Sequence, residues 1–304
     1  MNVTALAGGV GGAKLLVGLD RALAEGELTA VVNTGDDAVI YGVHVSPDVD
    51  IVTYWLAGVA DTARGWGLRD DTFVVVEALR SLGSDAWFLL GDRDFATCLH
   101  RTQRLAEGAT MAQIADEIRR RLGVRARVLP ATDDELRTRI VTRDGRTLEF
   151  QEYFVRERQE PEVAGVIYVG DAKPAPGVME TVVEADVVIV CPSNPLLSIG
   201  PMLTLPGLRD ALRAHPKVIA VTPIIRGEAL KGPAARILES MGIGRSAAGV
   251  ARLYADFTDL FVIDSTDREQ QAPVGELGLR SVTLETMMTD ESESERLSRE
   301  LLAL

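Results

Sequence analysis

The sequence predicts an α/β fold: a Rossmann-like, doubly wound, mostly parallel sheet carrying a β-rich inserted subdomain. Three observations predict it. The first stretch, Val3 to Lys14, runs from β-formers into Gly8, Gly9, Gly11 and Gly12 and then into a helical pattern, Leu15, Leu16, Leu19 and Leu23. A strand, a glycine turn and a helix in that order open a βαβ unit. Apolar runs then alternate with helical periodicity up to about residue 125 and again after about residue 170. Between them the alternation stops, and short β-rich runs follow one another around an Asp-Gly turn at 143–146, the mark of a hairpin.

The elements follow in order. Leu28–Asn33 reads as the second buried strand, ending in Asn33-Thr-Gly-Asp-Asp37. Ser46-Pro47-Asp48-Val49-Asp50 has a cap residue, a first-position proline and first-turn acids, so a helix starts there. Helices are expected at Thr72–Leu82, Phe95–Ala106 and Met111–Leu122, with a strand at Ala86–Leu90. Arg125–Leu129, Arg137–Val141, Leu148–Val155 and Ala164–Val169 are the strands of the inserted block, 125–170, within a single domain of 1–304. Strands Ala185–Cys191, Val218–Val221, Leu260–Asp264 and Arg280–Leu284 then alternate with helices starting at Lys231 and Ala247, and Glu291–Leu301 closes the chain.

Composition bounds the function. A chain of 304 residues with 46% apolar content supports a sizeable core. A net charge of −13 argues against nucleic acid as a partner. A phosphorylated ligand would then be held by local cations, backbone N–H groups or magnesium. Cys98 and Cys191, far apart, argue against a disulfide framework or structural zinc and for a reducing cytoplasm. No basic leader opens the chain and no apolar run reaches about 18 residues, so neither a signal peptide nor a membrane span is expected.

Candidate site residues cluster at predicted strand ends. Gly8, Gly9, Gly11, Gly12 and Lys14 could cradle phosphate, because glycine lets the backbone approach an anion and a helix N-terminus offers unpaired N–H groups. A tight turn without a ligand is the structural alternative. Asp36 and Asp37 follow the second strand, where carboxylates meet ribose or metal. Asp48 and Asp50 suit the helix dipole, and Asp50 could instead share a metal with the Asp36–Asp37 loop. Trp66, between two glycines, could stack on a ring or plug the loop against the core. Arg93, in Gly-Asp-Arg-Asp, is the best phosphate or carboxylate clamp. Ser193, Asn194 and Ser198 offer either ligand hydrogen bonds or turn and cap chemistry. The three histidines are scattered, so neither a histidine metal site nor a Ser-His-Asp triad is expected.

Taken together, GGVGGAK at 8–14, NTGDD at 33–37, SPDVD at 46–50, RGWGLRDDTF at 64–73, GDRDFAT at 91–97, LPATDD at 129–134, PSNPLLSIGP at 192–201, TPII at 222–225, LKGPAA at 230–235, YADFTDLFVID at 254–264 and MTD at 288–290 resemble the 2-phospho-L-lactate transferase family of coenzyme F-420 biosynthesis. One departure is Cys98, where related chains carry His. The resemblance implies a magnesium-dependent, cytoplasmic, homodimeric transferase. It would move phospholactate or phosphoenolpyruvate (or phosphoglycerate) from a GMP-activated diphosphate to the ribityl hydroxyl of the deazaflavin Fo, releasing GMP.

On that reading Gly8 to Gly12 and Lys14 hold the nucleotide diphosphate, and Ser193, Asn194 and Ser198 contact the guanosine half. Asp50 with Asp36 or Asp37 holds magnesium, Arg93 clamps phosphate or Fo, and Trp66 carries the deazaflavin ring. Asp50→Asn should then abolish turnover with little change in stability. Two rival readings are a non-enzymatic nucleotide-sugar-binding regulator of the gluconeogenesis-factor type and a nicotinamide dehydrogenase. The first leaves GDRD and RGWG unexplained, and Lys14 in place of the third fingerprint glycine counts against the second.

Overall fold

The computed structural model describes residues 1–229 and 234–304. Its strands in chain order are β1 (Val3–Ala7), β2 (Leu28–Val32), β3 (Ala38–Ile40), β4 (Val43–Val45), β5 (Arg127–Pro130), β6 (Arg137–Thr142), β7 (Thr147–Glu149), β8 (Val163–Val169), β9 (Val187–Val190), β10 (Val218–Val221), β11 (Ile224–Ile225), β12 (Glu228–Ala229), β13 (Leu260–Asp264) and β14 (Arg280–Leu284). Seven of them form one sheet in the order β14-β13-β10-β9-β1-β2-β5. Every pairing in it is parallel.

Alternation along each strand sorts its side chains onto two buried faces. Ala5, Ala30, Ile189 and Ile219 pack on one face, and Leu6, Val31, Val188 and Ala220 on the other. Helix Gly9–Ala22 lies between helix Pro47–Leu56 and the C-terminal helix Glu291–Ala303. A Cβ on Gly18 would stand 2.0 Å from the Ser294 carbonyl oxygen, so a bare position is what lets the last helix cross the first so closely.

Strand order fixes the position of the crevice. From β1 the chain steps outward through β2 to β5, then returns to β9 on the other side of β1 and steps outward to β14. The winding therefore reverses between β1 and β9, and ligands of open α/β sheets bind at such a reversal, beyond the strands' carboxyl ends. The glycine turn after β1 and the Pro192–Ser198 segment after β9 meet there.

Three of the expected strands are found otherwise. The strand at 127–130 belongs to the parallel sheet, paired with β2, and the antiparallel sheet consists of β7-β6-β8. Only Thr147–Glu149 of the expected strand Leu148–Val155 pairs; the chain then winds into a short π-helical turn, Glu152–Arg156. Ala86–Leu90 forms no strand and joins no sheet. Its apolar residues instead pack under the β3–β4 hairpin. The helix start expected at Lys231 lies outside the described residues, which pick the helix up at Ala234–Ser240. No helix among the described residues is long and apolar enough to cross a membrane.

The glycine turn is dictated first by packing. A Cβ on Gly11 would lie 2.3 Å from the Pro192 carbonyl oxygen, and one on Gly12 would lie 2.6 Å from Ser193 Oγ. Gly9 alone of the four takes a left-handed backbone, at φ +63°. Gly11→Ala is therefore expected to cost about 1–3 kcal/mol, since the clash is with backbone that cannot step aside. Urea unfolding measures it, and an unchanged midpoint would show that the two turns can separate without penalty.

Candidate functional site

A cavity of about 720 Å³ occupies the crevice, within the usual range for small-molecule sites. One wall is the glycine turn with Lys14, Pro192, Ser193, Asn194 and Ser198. Phe88, Leu89 and Leu90 from the unpaired segment, Trp66, and Phe150 and Phe154 from the antiparallel block give it an apolar wall. Asp36, Asp48, Asp50 and Asp94 line it too.

The first N–H groups of the glycine turn are already engaged by the protein. Gly8 N donates to Ser193 Oγ at 3.0 Å, and Gly9 N donates to Asp48 Oδ1 at 2.6 Å. Asn33 Nδ2 donates to Asp48 Oδ2 at 2.9 Å. Asp48 is thus more than a helix-end charge: it is a buried carboxyl group seated on the glycine turn. Burial raises its pKa, and the Asn33, Gly9 and Ser198 hydrogen bonds pull it back. Lys14 lines the cavity and donates from Nζ to the Met288 carbonyl at 2.7 Å. Asn194 Oδ1 accepts from Leu196 N and Leu197 N, so its carbonyl end does cap chemistry.

Asp36 and Asp37 part company. Asp36 lines the cavity and accepts from Gln151 Nε2 at 3.3 Å, which ties the antiparallel block to the site. Burial, then Asp48 and Asp37, push its pKa well up. Asp37 does not line the cavity; it accepts from Ser46 Oγ at 2.6 Å. Ser46 therefore spends its hydroxyl on Asp37 and makes no side-chain cap for the helix it precedes. His44 Nε2 lies 3.6 Å from Asp37, but burial and Arg101 push His44 down to about 4, so at neutral pH this is no ion pair.

Asp50 is half of a buried ion pair. Arg101 NH2 donates to Asp50 Oδ1, and both side chains are buried. Asp50 Oδ2 is buried without a hydrogen-bond partner. Oxygens of Asp50 and Asp94 and the sulfur of Cys98 lie within 4.8 Å of one another. Burial, with Asp50 adding to it, lifts Asp94 to about 7, and Tyr54 OH donates to Asp94 Oδ1 at 2.8 Å. Burial raises the Cys98 thiol, so it stays neutral.

The donor set fits a hard divalent cation. Clustered buried carboxylates, one with an unpartnered oxygen, face a single buried basic side chain among the described residues, Arg101. Magnesium takes oxygen ligands and leaves a neutral thiol aside. Asp94, from the helix Asp92–Ala106, is the carboxylate grouped with Asp50, and Asp36 lines the same cavity.

Of two further candidates, Arg93 lies outside the cavity lining and Trp66 on it. Arg93 is exposed, with NH1 donating to the Arg69 carbonyl at 3.1 Å. Trp66 lines the cavity, edge-on to Phe73, and the Arg64 guanidinium lies 5.1 Å from each ring. Asp94, Arg101 and Tyr54 are the residues that sequence reading passed over. Their signal was the i, i+7 spacing of Asp94 and Arg101, two turns apart on one helix face.

A doubly wound parallel sheet with carboxylates, a glycine turn and an aromatic wall at its switch point defines an α/β enzyme of the Rossmann type. The chain belongs to the 2-phospho-L-lactate transferase CofD family, which it matches over residues 3–301, and is a transferase of that kind. A phosphoenolpyruvate transferase of Streptomyces griseus is 39% identical over 100% of this chain and 98% of its own. A 2-phospho-L-lactate transferase of Methanosarcina mazei is 39% identical over 96% of both chains. The crystal structure of a UPF0052-family protein from Bacillus halodurans has the same fold, with a TM-score of 0.67 at 17% identity over 99% of this chain and 98% of that one.

Two predictions follow from the charges. Asp50→Asn leaves Arg101 buried without its anion, a loss of about 3–5 kcal/mol. Stability should therefore fall together with activity, contrary to the expectation from sequence. An unchanged melting temperature would mean that Arg101 finds another partner.

The second concerns pH. Asp37 and Asp94, both raised to about 7, are neutral in the folded state where the unfolded chain ionises them. Their stabilisation is complete below about pH 4 and is lost as pH rises through about 7. His44, lowered to about 4, works the other way, gaining stability from about pH 4 to 6.5. Two carboxyls outweigh one imidazole, so the melting temperature of the metal-free protein should fall from pH 5 to pH 8. Added magnesium should reduce that fall, and a rise over this range would contradict the assignment.

Proposed function

We propose that the enzyme transfers a phospho-acid moiety, phospholactate or phosphoenolpyruvate, from its GMP-activated diphosphate to the ribityl hydroxyl of Fo. The observation that carries this reading is the lining of one cavity: polar groups suited to a nucleotide diphosphate, aromatic side chains suited to a planar ring, and four carboxylates. Family membership and relatives named for both acids support it.

The donor's diphosphate lies along the glycine turn with Lys14 beside it, and Ser193, Asn194 and Ser198 border the guanosine half. Gly8 and Gly9 N–H groups are taken, so the turn offers the diphosphate its later N–H groups and the charge of Lys14. Fo places its ring against Trp66, Phe88, Phe150 and Phe154, where offset or edge contacts stabilise flat aromatics. Arg93, exposed in the first turn of the helix Asp92–Ala106 and next to the cavity-lining Asp94, is the clamp for a polar part of Fo that extends beyond the cavity.

The ribityl oxygen forms a bond to the phosphorus bearing the acid, and the bond from that phosphorus to the GMP phosphate oxygen breaks. The hydroxyl proton passes to the carboxylate cluster, and GMP leaves with the bonding pair. Such a transfer needs mainly alignment and neutralisation of charge. Asp50 and Asp94 would hold magnesium, which when bound neutralises charge on the diphosphate. The protein works as a cytoplasmic homodimer on this reading.

The test is mass spectrometry of the product formed from Fo and each synthetic guanylylated acid, with and without a chelator. Product from none of the donors, with no binding of fluorescent Fo, would refute the reading. Lys14→Met should weaken GDP binding about ten- to a hundred-fold, the worth of a charge-assisted hydrogen bond, and leave Fo binding unchanged. Paired titrations measure this, and equal losses for both ligands would contradict the placement.

A further inference from the structure

Three groups around Asp50 take no part in the transfer: Arg101, the His44 carbonyl and Cys98. Arg101 is 1% exposed, the largest fully buried side chain among the described residues. A guanidinium usually meets a carboxylate with two parallel N–H bonds. Here the fork is split. NH2 goes to Asp50 Oδ1, while NH1 goes to the His44 carbonyl at 3.0 Å and to Cys98 Sγ at 3.8 Å. Oδ2 of Asp50 is left over, buried and unpartnered, on a residue that lines the cavity.

We propose that Arg101 is a positioning residue: anchored to the His44 carbonyl, it fixes Asp50 through one oxygen so that the other is kept for the reacting groups beside Asp94. The arrangement is a poor way to gain stability, since a buried ion pair is often matched or bettered by apolar packing. It is a good way to fix a carboxylate. Three segments converge on the guanidinium: β4 through His44, helix Pro47–Leu56 through Asp50, and helix Asp92–Ala106, which carries Arg101 itself. The same helix carries Asp94, so Arg101 sets the distance between the two carboxylates that face one another. The side chain acts through Asp50 and touches no substrate. Its use for transfer rests on the function proposed above; the geometric claim about Asp50 does not.

Two variants test it. Arg101→Lys keeps a positive charge in the pocket but cannot bond both the His44 carbonyl and Asp50 in the same plane. Its melting temperature should stay close to that of the unaltered protein. Its kcat should fall about a hundred-fold, the cost of roughly 1 Å of misplacement, with the donor KM unchanged. Arg101→Gln should lose stability as well, and adding Asp50→Asn to it should restore the melting temperature but not kcat.

A crystal structure of Arg101→Lys provides the readout that needs no substrate. The Asp50 carboxylate should be displaced or split between two positions. Asp50 unmoved in that structure, or full kcat in Arg101→Lys, would overturn the proposal. So would losses of kcat that merely track losses of melting temperature. If the unaltered enzyme makes no product from Fo, the functional reading fails, and the position of Asp50 in Arg101→Lys still decides the role of Arg101.

Discussion

The ion pair of Arg101 with Asp50 is the constraint around which the site is arranged. Four carboxylates line one cavity, and burial works to discharge each of them. One buried guanidinium offsets one of them directly. The others are handled by weaker means: Asn33 and Gly9 hold Asp48, Gln151 reaches Asp36, and Tyr54 holds Asp94. Such a cluster is under electrostatic strain when empty. A cation bound among these carboxylates would offset that cost.

That arrangement needs a scaffold bringing distant segments to one point. The reversal of strand order between β1 and β9 supplies it. The turn after β1, the loop after β2, the segment after β9 and the residues after β14 all end at the same crevice. The bare glycines let those turns touch: Gly8 leaves room for Asp48 and Ser198, and Gly11 for the Pro192 carbonyl. The antiparallel block closes the crevice from the side, giving Gln151 to Asp36 and Phe150 and Phe154 to the apolar wall.

The parallel sheet was legible in the sequence because doubly buried strands leave continuous apolar runs, and β9, β10, β13 and β14 lie within the runs that predict them. Ala86–Leu90 misled for the same reason. An apolar run shows that a segment is buried, and this one is buried as irregular chain beneath a hairpin. The glycine turn was legible as a turn, but its cause was not: what excludes a side chain at Gly11 is a carbonyl from 181 residues further along the chain. Asp50 stood out by its place at a helix start, and Asp48, beside it, carried the same signal with a different outcome. Asp48 turns back to the glycine N–H and Asp50 faces Arg101. Two positions apart, they lie on different faces of one helix, but the partner each face meets is set by tertiary packing that no local pattern records.

The placement of Asp94 and Arg101 two turns apart on that helix ties fold to chemistry. One face of a single helix delivers both an acid that is half ionised near pH 7 and the cation that fixes its neighbour. Sliding or tilting the helix would move both together relative to Asp50. The helix is braced at its start, where Asp71 accepts from Arg93 N and Asp94 N. It is braced again further along by His44, whose N–H donates to Thr102 and whose carbonyl accepts from Arg101. A hairpin residue with no catalytic group in the site therefore sets the register of the helix that carries it. Half-buried Asp71 does the same from the other end, which gives the RGWGLRDD segment a structural reason to adjoin GDRD in space.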